Sequence, residues 1–173
     1  MERLVDVTPI SGTRFGLTAD THDELVNWPS IVSDLKVAWG RVDAILHCGD
    51  LTSPVALQSL AAVAPIYATR SNGDPPASLP TLAIGPRVLE IDGLRIGLTF
   101  KLPADAMTGR TSAELFEGPV AVCVYGGTHE SRIEEIDGVI FVNPGSPSLA
   151  KTRTAAVLSI SNRRALAEIV PIR

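Results

Sequence analysis

Largely apolar runs of strand length alternate with apolar residues at helical spacing through the first two-thirds of the chain. Arg14 to Ala19, Val42 to His47 and Pro65 to Thr69 are the runs, each short enough for a buried strand. Between them, Leu25 to Trp39 has helical spacing, with Pro29 near its start, where a missing N–H is tolerated. Pro54 to Val63 suits a second helix. This β-α-β-α-β order predicts parallel strands joined by right-handed crossovers.

The later pattern is different. Arg87 to Ile91 and Leu94 to Thr99 flank Asp92-Gly93, a two-residue hairpin signal, and Ile133 to Ile136 and Val139 to Val142 flank Asp137-Gly138 in the same way. Ala155 to Ile160 and Ala165 to Val170 predict a third hairpin around Ser161-Asn162-Arg163. Val120 to Tyr125 reads as another buried strand, and Ala104 to Glu117 as a helix that Gly109 weakens. Parallel strands followed by hairpins predict an α/β fold in which two mixed sheets pack face to face with helices outside. At 173 residues the chain is expected to be one domain over residues 1–173. Pro75, Pro76 and Pro80 with Gly73 mark a loop, too short for a domain linker.

Composition narrows the function classes. A net charge of -4 argues against a nucleic-acid backbone as the main partner. Cys48 and Cys123, both inside apolar stretches, are expected to be buried thiols in a reducing compartment, with a disulfide the minority reading. No stretch has the length of a signal-peptide core or a membrane span, so the cytoplasm is the expected location and no membrane partner is expected. Assembly into a homo-oligomer is left open.

Five polar residues fall just past the ends of the predicted buried strands: Asp20 and His22, then Asp50, Asn72 and His129. In open α/β sheets ligands bind beyond the carboxyl ends of the strands. Residues two apart on an extended chain point the same way, so Asp20 and His22 can grip one ion together. Two carboxylates, two imidazoles and an amide oxygen suit a divalent ion such as Mn²⁺, Fe²⁺ or Zn²⁺. Taken singly, Asp-x-His arises often by chance, Gly-Asp and Asn-Gly open ordinary turns, and a loop histidine is commonplace. Their joint order at successive strand ends favours the functional reading.

The motifs also resemble a known family. Asp20-Thr21-His22, Gly49-Asp50, Ser71-Asn72-Gly73-Asp74, Gly126-Gly127-Thr128-His129 and Asn143-Pro144-Gly145-Ser146 are similar to the successive motifs of the calcineurin-like metallophosphoesterases, in particular their small prokaryotic phosphodiesterases. The resemblance runs from about Arg14 to the C-terminus. It implies a four-layer α/β/β/α sandwich and a pair of divalent metals, manganese foremost, with Fe, Zn, Mg or Ni as other candidates. One metal would be held by Asp20, His22, Asp50 and His129. The other would be held by Asp50, Asn72 and two histidines that this chain lacks, since Phe100 and Gly127 stand in their places. One ion is therefore expected to bind firmly and the second weakly or not at all.

The resemblance implies a hydrolase acting on a phosphate ester, a phosphodiester foremost, with a metal-bound hydroxide as nucleophile and Asp50, Asn72 and His129 as catalytic residues. Around these, Asn72, Arg70 and Lys101 are candidates to bind the substrate phosphate, although strand alternation would turn Lys101 away from Phe100. His47 and Asp74 are candidates to steady the ligands, and Arg132 lies close enough in sequence to meet a phosphate. The rival reading is a scaffold that binds a protein partner or a regulatory ligand, as the same fold does in the eukaryotic retromer complex. The lost histidines favour the scaffold; the four retained ligands favour the enzyme.

Overall fold

The computed structural model describes residues 5–22, 27–51, 54–71 and 82–173. The strands are β1 (Asp6–Pro9), β2 (Arg14–Thr18), β3 (Ala44–His47), β4 (Ile66–Arg70), β5 (Leu82–Ile84), β6 (Arg87–Ile91), β7 (Leu94–Leu98), β8 (Val122–Val124), β9 (Arg132–Ile136), β10 (Val139–Asn143), β11 (Thr154–Ser161) and β12 (Arg164–Pro171). The helices are α1 (Trp28–Trp39), α2 (Pro54–Ala61) and α3 (Gly109–Leu115).

Two mixed sheets result. The first runs β12-β11-β2-β3-β4-β5, with β2 to β5 mutually parallel and β11 antiparallel to β2. The second runs β1-β6-β7-β8-β10-β9 and mixes parallel pairs with two hairpins. Strand alternation explains the layers. Phe15, Leu17, Ala44, Leu46, Leu89, Ile96, Leu98, Val122, Val124 and Leu158 point between the sheets, where they form one core. The opposite face of the first sheet presents Ile45, Ile66, Ala68 and Val157 to α1 and α2. The outer face of the second presents Val88, Cys123 and Phe141 to Met107 and Phe116. The expected α/β/β/α sandwich is the observed one.

Helix α1 buries Trp28, Ile31, Leu35 and Trp39, a stripe at three- and four-residue spacing. Withdrawing side chains of this size from water contributes roughly 1.5–3 kcal/mol each. The expected start at Leu25 lies outside the described residues; the helix starts at Trp28, because Asn27 caps it by accepting the Ser30 N–H at 3.3 Å. Gly16 in β2 leaves room for the Trp39 ring, since a Cβ there would lie 2.6 Å from it.

Several sequence expectations need correction. The helix expected over Ala104 to Glu117 is split into a 3-10 turn at Ala104–Ala106 and α3. Thr108 caps α3 by accepting the Thr111 N–H at 3.0 Å, and the Gly109 N–H is drawn to Asp137 at 3.0 Å. Strand β3 starts at Ala44 rather than Val42, since the Asp43 carboxylate accepts the Thr13 and Arg14 N–H groups. The third hairpin has a two-residue turn, Asn162-Arg163, because Ser161 pairs with Arg164. Strands β1 and β5 gave no usable pattern: β1 is a mostly exposed edge ending in proline, and β5 is three residues long. Cys48 and Cys123 are buried free thiols, as expected. Burial pushes the Cys123 thiol up to about 12. Among the described residues no helix is long and apolar enough to cross a membrane.

Candidate metal centre

Parallel register places two loops side by side. Thr18 at the end of β2 pairs with His47 at the end of β3, so both chains leave the sheet at one level. The loops then bond to each other: Cys48 N–H to Thr18 O at 3.0 Å, Asp20 N–H to Gly49 O at 3.0 Å and His22 N–H to Asp50 O at 3.2 Å. Asp20, His22 and Asp50 leave these loops, and His129 leaves the loop after β8.

All four residues have positive φ: 52° at Asp20, 39° at His22, 63° at Asp50 and 61° at His129. A left-handed conformation is uncommon outside glycine and costs on the order of 1 kcal/mol or more at each position. The other described non-glycine residues with positive φ are Asp92, Asp137, Asn162 and Arg163 in hairpin turns and Glu117 after α3. The four are thus held in strained backbone that points their side chains to one place.

Their ligating atoms lie within 4.8 Å of one another. His22 Nε2 is 2.8 Å from Asp50 Oδ2 and 3.1 Å from His129 Nε2, and His129 Nε2 is 4.0 Å from Asp20 Oδ1. His129 Nδ1 lies 2.8 Å from the Leu149 carbonyl, which can only accept, so in the neutral ring Nδ1 carries the proton and Nε2 turns its lone pair into the cluster. Asp20 is fully buried, and burial raises its pKa above the ordinary carboxylate range. The Gly127 N–H, at 3.0 and 2.9 Å from its two oxygens, and His129 oppose that shift, whereas Asp50 adds to it. Two carboxylates and two imidazoles converging on so small a volume form a set of donors suited to a borderline divalent cation.

The remaining sequence candidates divide. Asn72 and Asp74 lie outside the described residues. Arg70 ends β4 and is half-buried. Arg132 is ion-paired with Glu134 and lines a cavity of about 170 Å³ with Met107 and Tyr125. His47 bonds Thr21 and Gly49, which adjoin Asp20, His22 and Asp50 in the chain. Lys101 requires a correction. Strand β7 ends at Leu98, so alternation does not apply, and the Lys101 ammonium lies 5.4 Å from the centre of the Phe100 ring. A Cβ on Gly127 would fall 2.9 Å from Lys101 Cγ, and a Cβ on Gly49 would fall 2.9 Å from the Phe100 ring. Phe100 and the stem of Lys101 thus lie directly against the loops that carry Asp50 and His129.

Residues 146–149 brace the centre, and sequence reasoning gave them no role. Ser146 Oγ donates to Asp20 O at 2.7 Å, Ser148 Oγ donates to Thr21 O, and Leu149 supplies the acceptor for His129. Asn143 Nδ2 donates to Thr128 Oγ1 at 2.9 Å, steadying the loop one residue before His129. The signal was the Asn143-Pro144-Gly145-Ser146 motif, whose contacts reach back more than a hundred residues.

Comparison with known proteins agrees with this geometry. The calcineurin-like phosphoesterase superfamily domain matches residues 14–163. A probable metallophosphoesterase of Methanothermobacter thermautotrophicus is 31% identical over 163 residues, 90% of either chain. A phosphodiesterase of Methanocaldococcus jannaschii is 27% identical over 143 residues, 76% of this chain and 82% of its own. The solved structure of a novel archaeal phosphodiesterase shares the fold, with a TM-score of 0.70 at 24% identity over 90% of this chain and 99% of that one. The match of the family domain along most of the sequence, together with the 31% identical relative, shows that the chain belongs to the calcineurin-like phosphoesterase superfamily and is a hydrolase of the phosphoesterase class.

Proposed function

We propose that the chain hydrolyses phosphodiesters with a single firmly held divalent ion, manganese foremost, bound by Asp20, His22, Asp50 and His129. The convergence of their four ligating atoms within 4.8 Å carries this reading. The phosphodiesterase relative from Methanocaldococcus jannaschii supports the substrate class. When bound, such an ion supplies Lewis acidity and activates water for attack on phosphorus.

The chain's own residues have separate tasks in this reading. His129 presents Nε2 because Leu149 fixes its proton on Nδ1. Asp20 is held by the Gly127 N–H and by its own burial, so it cannot swing away from the ion. Asn72 and Arg70 bind the substrate phosphate. Lys101, ordered against Gly127 and Phe100, supplies fixed positive charge on the side where the resemblance would place a second ion.

The test is to reconstitute metal-free protein with Mn²⁺, count bound ions by elemental analysis and assay a bis-aryl phosphodiester. One tight ion per chain is expected, with turnover abolished by Asp50→Ala. Tight binding of the ion with no turnover of the diester under any divalent metal would overturn the phosphodiester reading.

A further inference from the structure

Two of the loops that carry ligands are joined by the side chain of His47. His47 is completely buried, at the end of β3. Its Nδ1 accepts the Gly49 N–H at 3.0 Å, and its Nε2 lies 3.1 Å from Thr21 Oγ1. A neutral imidazole has one acceptor and one donor nitrogen, so acceptance at Nδ1 puts the proton on Nε2, which donates to Thr21. Thr21 is itself completely buried and lies between Asp20 and His22 in the chain, while Gly49 immediately precedes Asp50. From the other side, Ser148 Oγ donates to Thr21 O within the 146–149 loop that also holds Asp20 and His129.

We propose that His47 and Thr21 form a positioning pair that sets the Asp20–His22 grip against Asp50, so that metal affinity depends on one histidine tautomer outside the ligand set. The inference rests on the single-ion reading. Both bonds are made by groups with no access to solvent, which leaves no water to replace a lost partner. Cutting this bond removes the side-chain restraint on the strained backbone at Asp20, His22 and Asp50 and leaves the backbone bonds between the loops to hold it alone. Outer partners of this kind alter metal affinity by about 10–100-fold.

The substitutions separate the two bonds. In His47→Asn the amide oxygen takes the place of Nδ1 and keeps the Gly49 bond, whereas the Thr21 bond is lost. Thr21→Val removes the acceptor while keeping the shape, and Thr21→Ser keeps the acceptor. Mn²⁺ titration by calorimetry, at a temperature where every variant is folded, is expected to show affinity lower by about 10–100-fold in His47→Asn and Thr21→Val. The double variant is expected to lose no more than the weaker single one, and Thr21→Ser to stay close to the parent. Nitrogen-15 spectra of the metal-free protein are expected to show His47 protonated at Nε2 and bare at Nδ1. Unchanged affinity in both single variants, or a proton on Nδ1, would overturn the positioning pair while leaving the metal centre standing. Failure of the parent protein to bind Mn²⁺ would overturn the centre itself, and this inference with it.

Discussion

The crevice at the strand ends has two unlike sides. On one, Asp20, His22, Asp50 and His129 converge in strained backbone, tied by loop-to-loop bonds and by the hydroxyls of Ser146 and Ser148. On the other, Phe100 and Lys101 pack against Gly49 and Gly127, and the Gly127 N–H donates to Asp20. The first side is organised around donors that could hold a cation. The second is organised by van der Waals contact and one cation–π pair. Within one crevice, a convergent set of donors can therefore stand beside a side held by packing alone.

This contrast can be broken most directly on the ligand side. His129→Ala is expected to weaken Mn²⁺ binding by more than about 100-fold, beyond what outer partners contribute, with little change in the melting temperature of the metal-free protein. Calorimetric titration alongside thermal unfolding checks this. Comparable weakening in Phe100→Ala would erase the distinction between the sides.

The packed side should resist the introduction of a ligand. Gly127 has φ of 89°, and any Cβ there meets Lys101 Cγ at 2.9 Å. Gly127→His is therefore expected to cost about 2–3 kcal/mol through backbone strain and overpacking, and to bind no second ion. Denaturant unfolding and metal counting test both parts. Removal of the Lys101 stem in the same chain should recover some of that stability.

Phe100→Ala should lower stability by about 2 kcal/mol, less than a fully buried phenylalanine because Phe100 is partly exposed. Its Mn²⁺ affinity should stay within about twofold of the parent, since an apolar ring packed on Gly49 offers no donor to an ion. The smallest effect is assigned to charge. Lys101→Gln is expected to lower kcat/KM about tenfold without altering Mn²⁺ affinity, and Lys101→Arg to retain most of the rate. If both variants match the parent, Lys101 serves packing alone.

Much of this was legible along the chain. Asp-Gly pairs between apolar runs announced two of the hairpins, because a positive φ at both positions is what such a turn demands. Asp20, His22, Asp50 and His129 could be picked out because each follows an apolar run of strand length. Other features were not. The split before α3 depended on Asp137 drawing the Gly109 N–H, a partner 28 residues away. The direction of Lys101 was misread because the strand stops three residues earlier, and strand ends are set by pairing rather than by local pattern.

The sequence by itself determined which donors exist, their order, and the period-two and helical patterns that place them at the ends of buried strands. Those properties are local, and local periodicity is what a chain records plainly. Only the tertiary structure decided that Thr18 stands beside His47, that His47 reaches Thr21 across 26 residues, and that Phe100 lies on Gly49. These contacts follow from strand register and close packing between distant segments. They turn a set of candidate ligands into a centre with one organised side and one filled side.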